Sequence, residues 1–174
     1  MRNSFNKRKD NFNPKYQLWI FDRDGVINQK AKFPNRYILH PRDLVLNVEL
    51  INFIVFLQRN SRRIAVATNQ QCVGKGLINE GQLKEIHDAI DESFIRIGGD
   101  GIQYFTCGHL ESDKCCCRKP EPGLLKKIIS KFSIDLQDII FIGDSEADAA
   151  AAKKIGIDFL YVEELLSELN SEQI

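Results

Sequence analysis

The chain contains no uninterrupted apolar stretch near the roughly 20 residues that a spanning helix needs. Its first residues are polar, unlike a signal peptide. Neither feature suits a membrane partner or export, so the expectation is a cytoplasmic protein. No charge of one sign dominates either. Lys and Arg total 24 against 24 Asp and Glu, so no global field recruits nucleic acid or an anionic surface. Internal repeats and low-complexity blocks are also missing. Cysteines number five, an odd count, and Cys115, Cys116 and Cys117 are consecutive. That spacing argues against a disulfide framework and for metal ligation. At 174 residues the chain is long enough for one real core and too short for two comfortable ones. The reading is of a monomer with a flexible tail over residues 1–15, rich in Asn, Lys and Arg, followed by a single domain over 16–174.

Within that domain, strands and helices alternate. Strands are expected over Tyr16–Phe21, Arg63–Ala67, Ile102–Thr106, Ile139–Ile142 and Phe159–Val162. Val48–Leu57 has helical character, and Gly81–Ile97 places Leu83, Ile86, Ile90, Phe94 and Ile97 at helical spacing. Asn79 with Gln82 resembles a capping box. Pro122 suits the first position of a helix carrying Leu124, Leu125, Ile128 and Ile129. Ser145 caps a further helix that Gly156 closes. Such alternation predicts an α/β fold, a Rossmann-like three-layer sandwich with a mostly parallel central sheet and helices on both faces. Asn28 to Asp43 is the one long irregular stretch, and its departure from the first strand makes it a candidate substrate-contacting loop.

In an open parallel sheet, ligands bind beyond the carboxyl ends of the strands. The residues there form a consistent set: Asp22 and Asp24; Thr68, Asn69 and Gln70; Arg118 and Lys119 after a cysteine-rich loop; and Gly143, Asp144, Ser145 and, farther on, Asp148. Each has a bland reading alone, as a turn, a surface lysine or a helix entry. Together they supply carboxylates for Mg²⁺, at Asp22, Asp24 and Asp144, and a hydroxyl and a cation, at Thr68 and Lys119, for phosphoryl oxygens. A phosphate ester repels an anionic nucleophile, so attack by Asp22 would need Mg²⁺ and Lys119 to neutralise charge as an in-line transition state forms. Asp24 would protonate the leaving alkoxide and then deprotonate the hydrolytic water.

These residues resemble the haloacid dehalogenase superfamily of aspartate-nucleophile phosphatases. The resemblance runs from about Tyr16 to Val162 through Phe21-Asp22-Arg23-Asp24-Gly25, Thr68-Asn69-Gln70, Arg118-Lys119-Pro120 and Gly143-Asp144-Ser145 with Asp148. The loop between motifs is similar to the small branch that contains heptose 1,7-bisphosphate phosphatases and histidinol-phosphatases and lacks a large cap domain. The resemblance also implies that the Asp24 carbonyl reaches Mg²⁺.

Cys107, His109, Cys115 and Cys117 follow a CxH, five residues, CxC pattern, which supplies three thiolates and an imidazole for tetrahedral Zn²⁺. A redox cluster or free thiols are the alternatives. The resemblance implies the same four ligands in a structural role within the loop 107–117, bracing Arg118 and Lys119. Cys116 could compete with Cys117. Cys72 reads as an inert small residue, and His87 as a surface or packing residue of its helix. His40 reads as loop packing, and Lys75 as either solvated or reaching a second phosphate.

The expected substrate is a small phosphorylated sugar, with Asn69, Gln70, Arg118 and Lys119 contacting it. The residues after Thr68 and Lys119 look like those of the heptose bisphosphatases, in the nucleotide-heptose route to surface polysaccharide such as lipopolysaccharide. The short zinc loop is closer to the histidinol-phosphatases. The substrate loop, Phe33-Pro34-Asn35-Arg36-Tyr37, departs from the heptose pattern by lacking a glycine before its tyrosine. Histidinol-phosphatase, a polynucleotide 3′-phosphatase suggested by the basic tail, and a catalytically silent zinc-stabilised binding module are the competing readings.

Overall fold

In the computed structural model, residues 15–32 and 36–171 are described. The tail expected over 1–15, apart from Lys15, and Phe33, Pro34 and Asn35 of the substrate loop lie outside them. Five strands form one parallel sheet in the order β3-β2-β1-β4-β5. They are β1 (Leu18–Phe21), β2 (Arg63–Asn69), β3 (Gln103–Cys107), β4 (Ile139–Gly143) and β5 (Asp158–Tyr161). β1 is central, with Phe21 opposite Val66 of β2 and Ile142 of β4. The helices are α1 (Val48–Arg59), α2 (Gln71–Gly74), α3 (Glu80–Arg96), α4 (Gly123–Phe132), α5 (Glu146–Ile155) and α6 (Val162–Ser171).

The period-2 alternation of the strands divides the interior into two cores. Trp19 and Phe21 of β1 point to one face, where Leu50, Phe53, Ile54 and Leu57 of α1, Ile90 and Phe94 of α3 and Leu165 of α6 cover them. Leu18 and Ile20 point to the other, against Leu124, Leu125 and Ile128 of α4 and Ala151 and Ala152 of α5. Because both faces are covered, the strands read as continuous apolar runs. A third, smaller cluster of Ile38, Cys72, Ile78, Leu83 and Ile86 anchors the segment after β1 to α2 and α3.

Local signals set the helix boundaries. Asn79 and Gln82 form the expected reciprocal capping box, with Asn79 Oδ1 accepting from the Gln82 amide at 2.9 Å and Gln82 Oε1 from the Asn79 amide at 3.0 Å. Ser145 caps α5, and Gly156 closes it with φ of +80°. Elsewhere the boundaries differ from expectation. Tyr16 precedes β1, with its hydroxyl on Asp158 at 2.6 Å and its carbonyl accepting from Trp19 Nε1 at 3.2 Å. Pro122 caps α4 and Gly123 is its first helical residue. Val162 opens α6, a helix absent from the sequence reading, because its short amphipathic pattern follows directly on a strand with no glycine or proline between. The four-residue α2 falls below the length at which periodicity is detectable.

Candidate active site

Parallel pairing brings Asp22, Asn69, Cys107 and Gly143 to the same edge of the sheet, at or just beyond the ends of β1 to β4. The Asp22 amide donates to the Ile142 carbonyl at 2.9 Å, continuing the ladder by one residue and fixing the aspartate against β4. Beyond it the chain turns sharply at Gly25, whose φ is +94°. A Cβ there would lie 1.8 Å from Asp144 Oδ2. Glycine is required on both counts: the backbone is left-handed, and the β4 loop must approach the β1 loop this closely.

Lys119 is the electrostatic centre of this edge. It is buried, and its Nζ lies 2.9 Å from Asp22 Oδ1, 2.6 Å from Asp148 Oδ1 and 2.7 Å from the Ala67 carbonyl. Burial alone would favour the neutral amine, but the two carboxylates outweigh it and hold the ammonium above its usual pKa. Asp22 experiences the reverse balance. Burial is the largest effect on it, and with the nearby Asp148 and Asp24 it pushes the carboxyl up to about 6 against the pull of Lys119. Asn69 fixes the lysine backbone from both sides, its Oδ1 accepting from the Lys119 amide and its Nδ2 donating to the Lys119 carbonyl, each at 3.1 Å.

Asp22, Asp144 and Asp148 each offer a carboxylate oxygen within 4.8 Å of the others, a group able to hold a hard cation. The set differs from the expected Asp22, Asp24 and Asp144. Asp148 enters because it sits one turn after Asp144 in α5, where Ser145 Oγ donates to its Oδ2 at 2.5 Å. Lys30 supplies a second cation, 2.6 Å from Asp144 Oδ2.

The Asp24 carboxylate faces a different set of partners. Arg23 Nη2 donates to both of its oxygens at 2.9 Å, Asn28 Nδ2 to Oδ1 at 2.9 Å, and Gln70 Nε2 to Oδ2 at 2.7 Å. Burial would raise its pKa, but the Arg23 guanidinium together with Asn28 and Gln70 overcomes this and holds it below the usual carboxylate range. Gln70 also donates to Thr68 Oγ1 at 2.8 Å, so one amide registers the hydroxyl and the acid against each other. Arg118, half-buried, keeps an Nη1 that is shielded from solvent and has no hydrogen-bond partner.

At the end of β3, Cys107 Sγ lies 3.2 Å from Cys117 Sγ and 3.6 Å from Cys115 Sγ, while His109 Nδ1 lies 3.2 Å from Cys117 Sγ. These separations are too long for disulfides, whose sulfurs bond at about 2.05 Å. They approach the edges of a tetrahedron around an ion with thiolate bonds of about 2.3 Å. Cys116 is exposed and lies outside the group.

Residues 116–164 match the HAD-hydrolase-like family model. The D-glycero-beta-D-manno-heptose-1,7-bisphosphate 7-phosphatase of Bordetella bronchiseptica is 34% identical over 80% of this chain and 76% of its own length. The enzyme of the same name from Pseudomonas aeruginosa is 35% identical over 79% and 76%. This chain belongs to the haloacid dehalogenase superfamily. Its fold agrees with that of the B. bronchiseptica D,D-heptose 1,7-bisphosphate phosphatase complexed with magnesium and phosphate, at a TM-score of 0.77 and 31% identity over 82% of this chain and 78% of that one. As a haloacid dehalogenase phosphatase it is a phosphomonoester hydrolase that works through an aspartate nucleophile.

Several participants in this haloacid dehalogenase site were not assigned a role from the sequence. Asn28 and Lys30 lie in the irregular segment after β1, where no period marks them. Arg23 stands between the two motif aspartates but is fully buried, which its residue type does not suggest. Of the remaining residues, Cys72 is buried in the small third core, and His40 is exposed at the start of a 3₁₀ turn over Pro41–Asp43. Lys75 donates to the Tyr37 hydroxyl at 2.9 Å.

Proposed function

We propose that this chain is a Mg²⁺-dependent phosphatase acting through an aspartyl phosphate, and that it removes the 7-phosphate of D-glycero-D-manno-heptose 1,7-bisphosphate in nucleotide-heptose biosynthesis. The observation that carries the catalytic part is the convergence of Asp22, Asp144 and Asp148 around the buried Lys119 ammonium. The sugar is supported by the names of the relatives.

The residues present fit the cation. Three carboxylates face one another at the sheet edge, and the Lys30 ammonium already occupies a cationic position beside Asp144. When bound there by Asp22, Asp144 and Asp148, with the Asp24 carbonyl as the further ligand implied by the family, Mg²⁺ would neutralise phosphoryl oxygens and allow an anion to approach phosphorus. Asp22 attacks the phosphorus, forming a new P–O bond as the ester P–O bond breaks. Lys119 and the Thr68 hydroxyl stabilise the equatorial oxygens. Because Thr68 Oγ1 accepts from Gln70, its own hydrogen is left to donate to phosphate. Asp24 enters the cycle with a proton taken up beside the bound phosphate anion, whose charge opposes the pull of Arg23; it gives that proton to the departing alkoxide and recovers one from the water that attacks the aspartyl phosphate, releasing inorganic phosphate and restoring Asp22. Asn69 and Gln70 act through the groups they orient. The unpartnered Arg118 Nη1 suits an anionic substrate group.

Zn²⁺ held by Cys107, His109, Cys115 and Cys117 would be closed to water, since all four positions are protein atoms, and therefore structural. It would brace the stretch that leads directly into Arg118 and Lys119.

The test is phosphate release with Mg²⁺ from the α and β anomers of heptose 1,7-bisphosphate, fructose 1,6-bisphosphate, histidinol phosphate and a 3′-phosphorylated oligonucleotide. Heptose bisphosphate is expected to exceed the others in kcat/KM by at least about tenfold, with one phosphate released per sugar. The β anomer, named in the B. bronchiseptica and P. aeruginosa relatives, is expected to lead. Preference for histidinol phosphate or the oligonucleotide would replace the substrate assignment. Inactivity on every ester would favour the silent binding module.

A further inference from the structure

His87 is a buried titratable group that the chemistry above does not use. It projects from the middle of α3, with its ring 4.0 Å from that of Tyr104 and 6° from parallel. Tyr104 belongs to β3 and is fixed in turn by its hydroxyl, which donates to Asp91 Oδ1 at 3.0 Å. On the other side, His87 Nε2 lies 3.3 Å from Arg23 Nη1. Arg23 cannot give up its proton in a protein, so its N–H is the donor and Nε2 accepts. Burial foremost, and then the Arg23 charge, push the imidazole down to about 3, which is consistent with an acceptor that stays neutral across the working pH range. Arg23, Asp24, Asp88 and Lys84 are the charged groups bearing on it.

Arg23 is fully buried, yet among the described residues its only carboxylate partner is Asp24. A guanidinium presents five donors in a fixed plane, so satisfying one nitrogen determines where the others point. With Nη1 on His87, Nη2 forks across both oxygens of Asp24 and Nε reaches Oδ1 at 3.2 Å. Helix α3, strand β3 and the turn after β1 thus meet through three side chains that end on the proposed acid and base.

We infer that His87, clamped by Tyr104, is a positioning residue that acts through Arg23 to hold the Asp24 carboxylate in line with the scissile bond. The inference rests on the acid–base reading of Asp24. Loss of the acceptor frees the guanidinium to rotate, and Asp24 loses its fork while Asp22, Lys119 and the cation group at β4 are untouched. The defect should therefore be confined to the step in which the leaving oxygen needs a proton. An alkyl phosphate, whose alkoxide is a poor leaving group, depends on that proton; p-nitrophenyl phosphate, whose phenolate leaves unaided, does not.

The experiment compares His87→Leu, His87→Gln, Asp24→Asn and the double variant His87→Leu/Asp24→Asn in the full chain with Mg²⁺, on heptose bisphosphate and on p-nitrophenyl phosphate. His87→Leu is expected to lower kcat on the sugar ester by about 10- to 100-fold, part of the roughly 10²- to 10⁴-fold typical of positioned acid–base help. KM should change by less than about threefold, and the p-nitrophenyl ester should lose less than about threefold in rate. His87→Gln, which keeps an acceptor, should recover most of the loss, and His87→Leu should add nothing on the Asp24→Asn background. Equal losses on the two esters, losses that add to those of Asp24→Asn, or no loss on the sugar ester would each overturn the inference. If Asp24→Asn is itself indifferent to leaving group, the acid–base reading has failed rather than the role of His87. Thermal melts of each variant separate misfolding from mispositioning, and His87→Phe, which keeps a ring against Tyr104 and lacks the acceptor, serves as the probe if His87→Leu does not fold. In that case a loss on the sugar ester that spares the p-nitrophenyl ester supports the inference, and an equal loss on both esters, or none, overturns it.

Discussion

Asp22→Asn is expected to lower turnover of heptose bisphosphate by on the order of 10⁴-fold or more and, in Mg²⁺-free buffer at pH 7, to make the protein more stable than the wild type. Both effects follow from one geometry. The carboxylate proposed as nucleophile stands where the β1 ladder ends, buried beside Asp148 and sharing Lys119 with it. An amide cannot attack phosphorus, and neither Asp144 nor Asp148 occupies that position on the central strand. The stability effect comes from the elevated pKa of Asp22, near 6 against an ordinary 3.8. Between those values the folded state binds more protons than the unfolded one, so stability falls as pH rises through the window and is not regained above it. Removing the ionisable group removes that loss, while Lys119 keeps Asp148 as its partner. Urea unfolding at pH 4 and pH 7 should show wild type and variant similar at the lower pH and the variant ahead at the higher. Appreciable residual turnover would remove Asp22 from the nucleophile role, and identical pH dependence would contradict the buried-charge account.

Cys117→Ser is expected to strip the chain of zinc and to impair folding and catalysis together. Metal analysis of the wild type should give one zinc per chain, and the variant should retain a small fraction of that. A structural site contributes its binding energy to folding. Loss of one ligand should lower the melting temperature by about 5–10 °C, corresponding to a few kcal/mol in a chain of this size. Activity should fall at least about tenfold, because Lys119 lies two residues beyond the substituted ligand and depends on that stretch for its place between Asp22 and Asp148. Cys116→Ser is the control. Its thiol is exposed and outside the four-atom group, so zinc content and melting temperature should be unchanged. A zinc-free wild type, or loss of zinc in Cys116→Ser in place of Cys117→Ser, would refute the ligand assignment.

The residues that met at the sheet edge were legible because parallel topology converts sequence order into position: whatever follows each strand arrives at one rim. Thr68, Lys119 and Asp144 were readable for that reason, and the four-residue Cys and His pattern because its spacing is dense and local. What stayed hidden depends on side-chain direction. Nothing in the sequence tells that the Asp24 carboxylate turns toward Arg23, Asn28 and Gln70, leaving Asp148 to join Asp22 and Asp144. Histidine at an apolar helical position reads as packing, and His87 does pack on Tyr104; its bond to Arg23 crosses 64 residues of chain and leaves no local trace. Helix α6 escaped because β5 passes into it without a break.

The strand order β3-β2-β1-β4-β5 also bears on how the molecule comes into being. The middle strand is made first, and β2 and β3 can line up on one side of it as they emerge from the ribosome. Its other side stays open until Ile139–Gly143 has been synthesised. Until then Asp22 lacks the Ile142 carbonyl that fixes its amide, and the Lys119 ammonium, already translated, has no Asp148 to meet. The catalytic pocket therefore cannot be complete before β4 and the first turn of α5 have been made, because the carboxylates that surround Lys119 from that side are among the later residues of the chain.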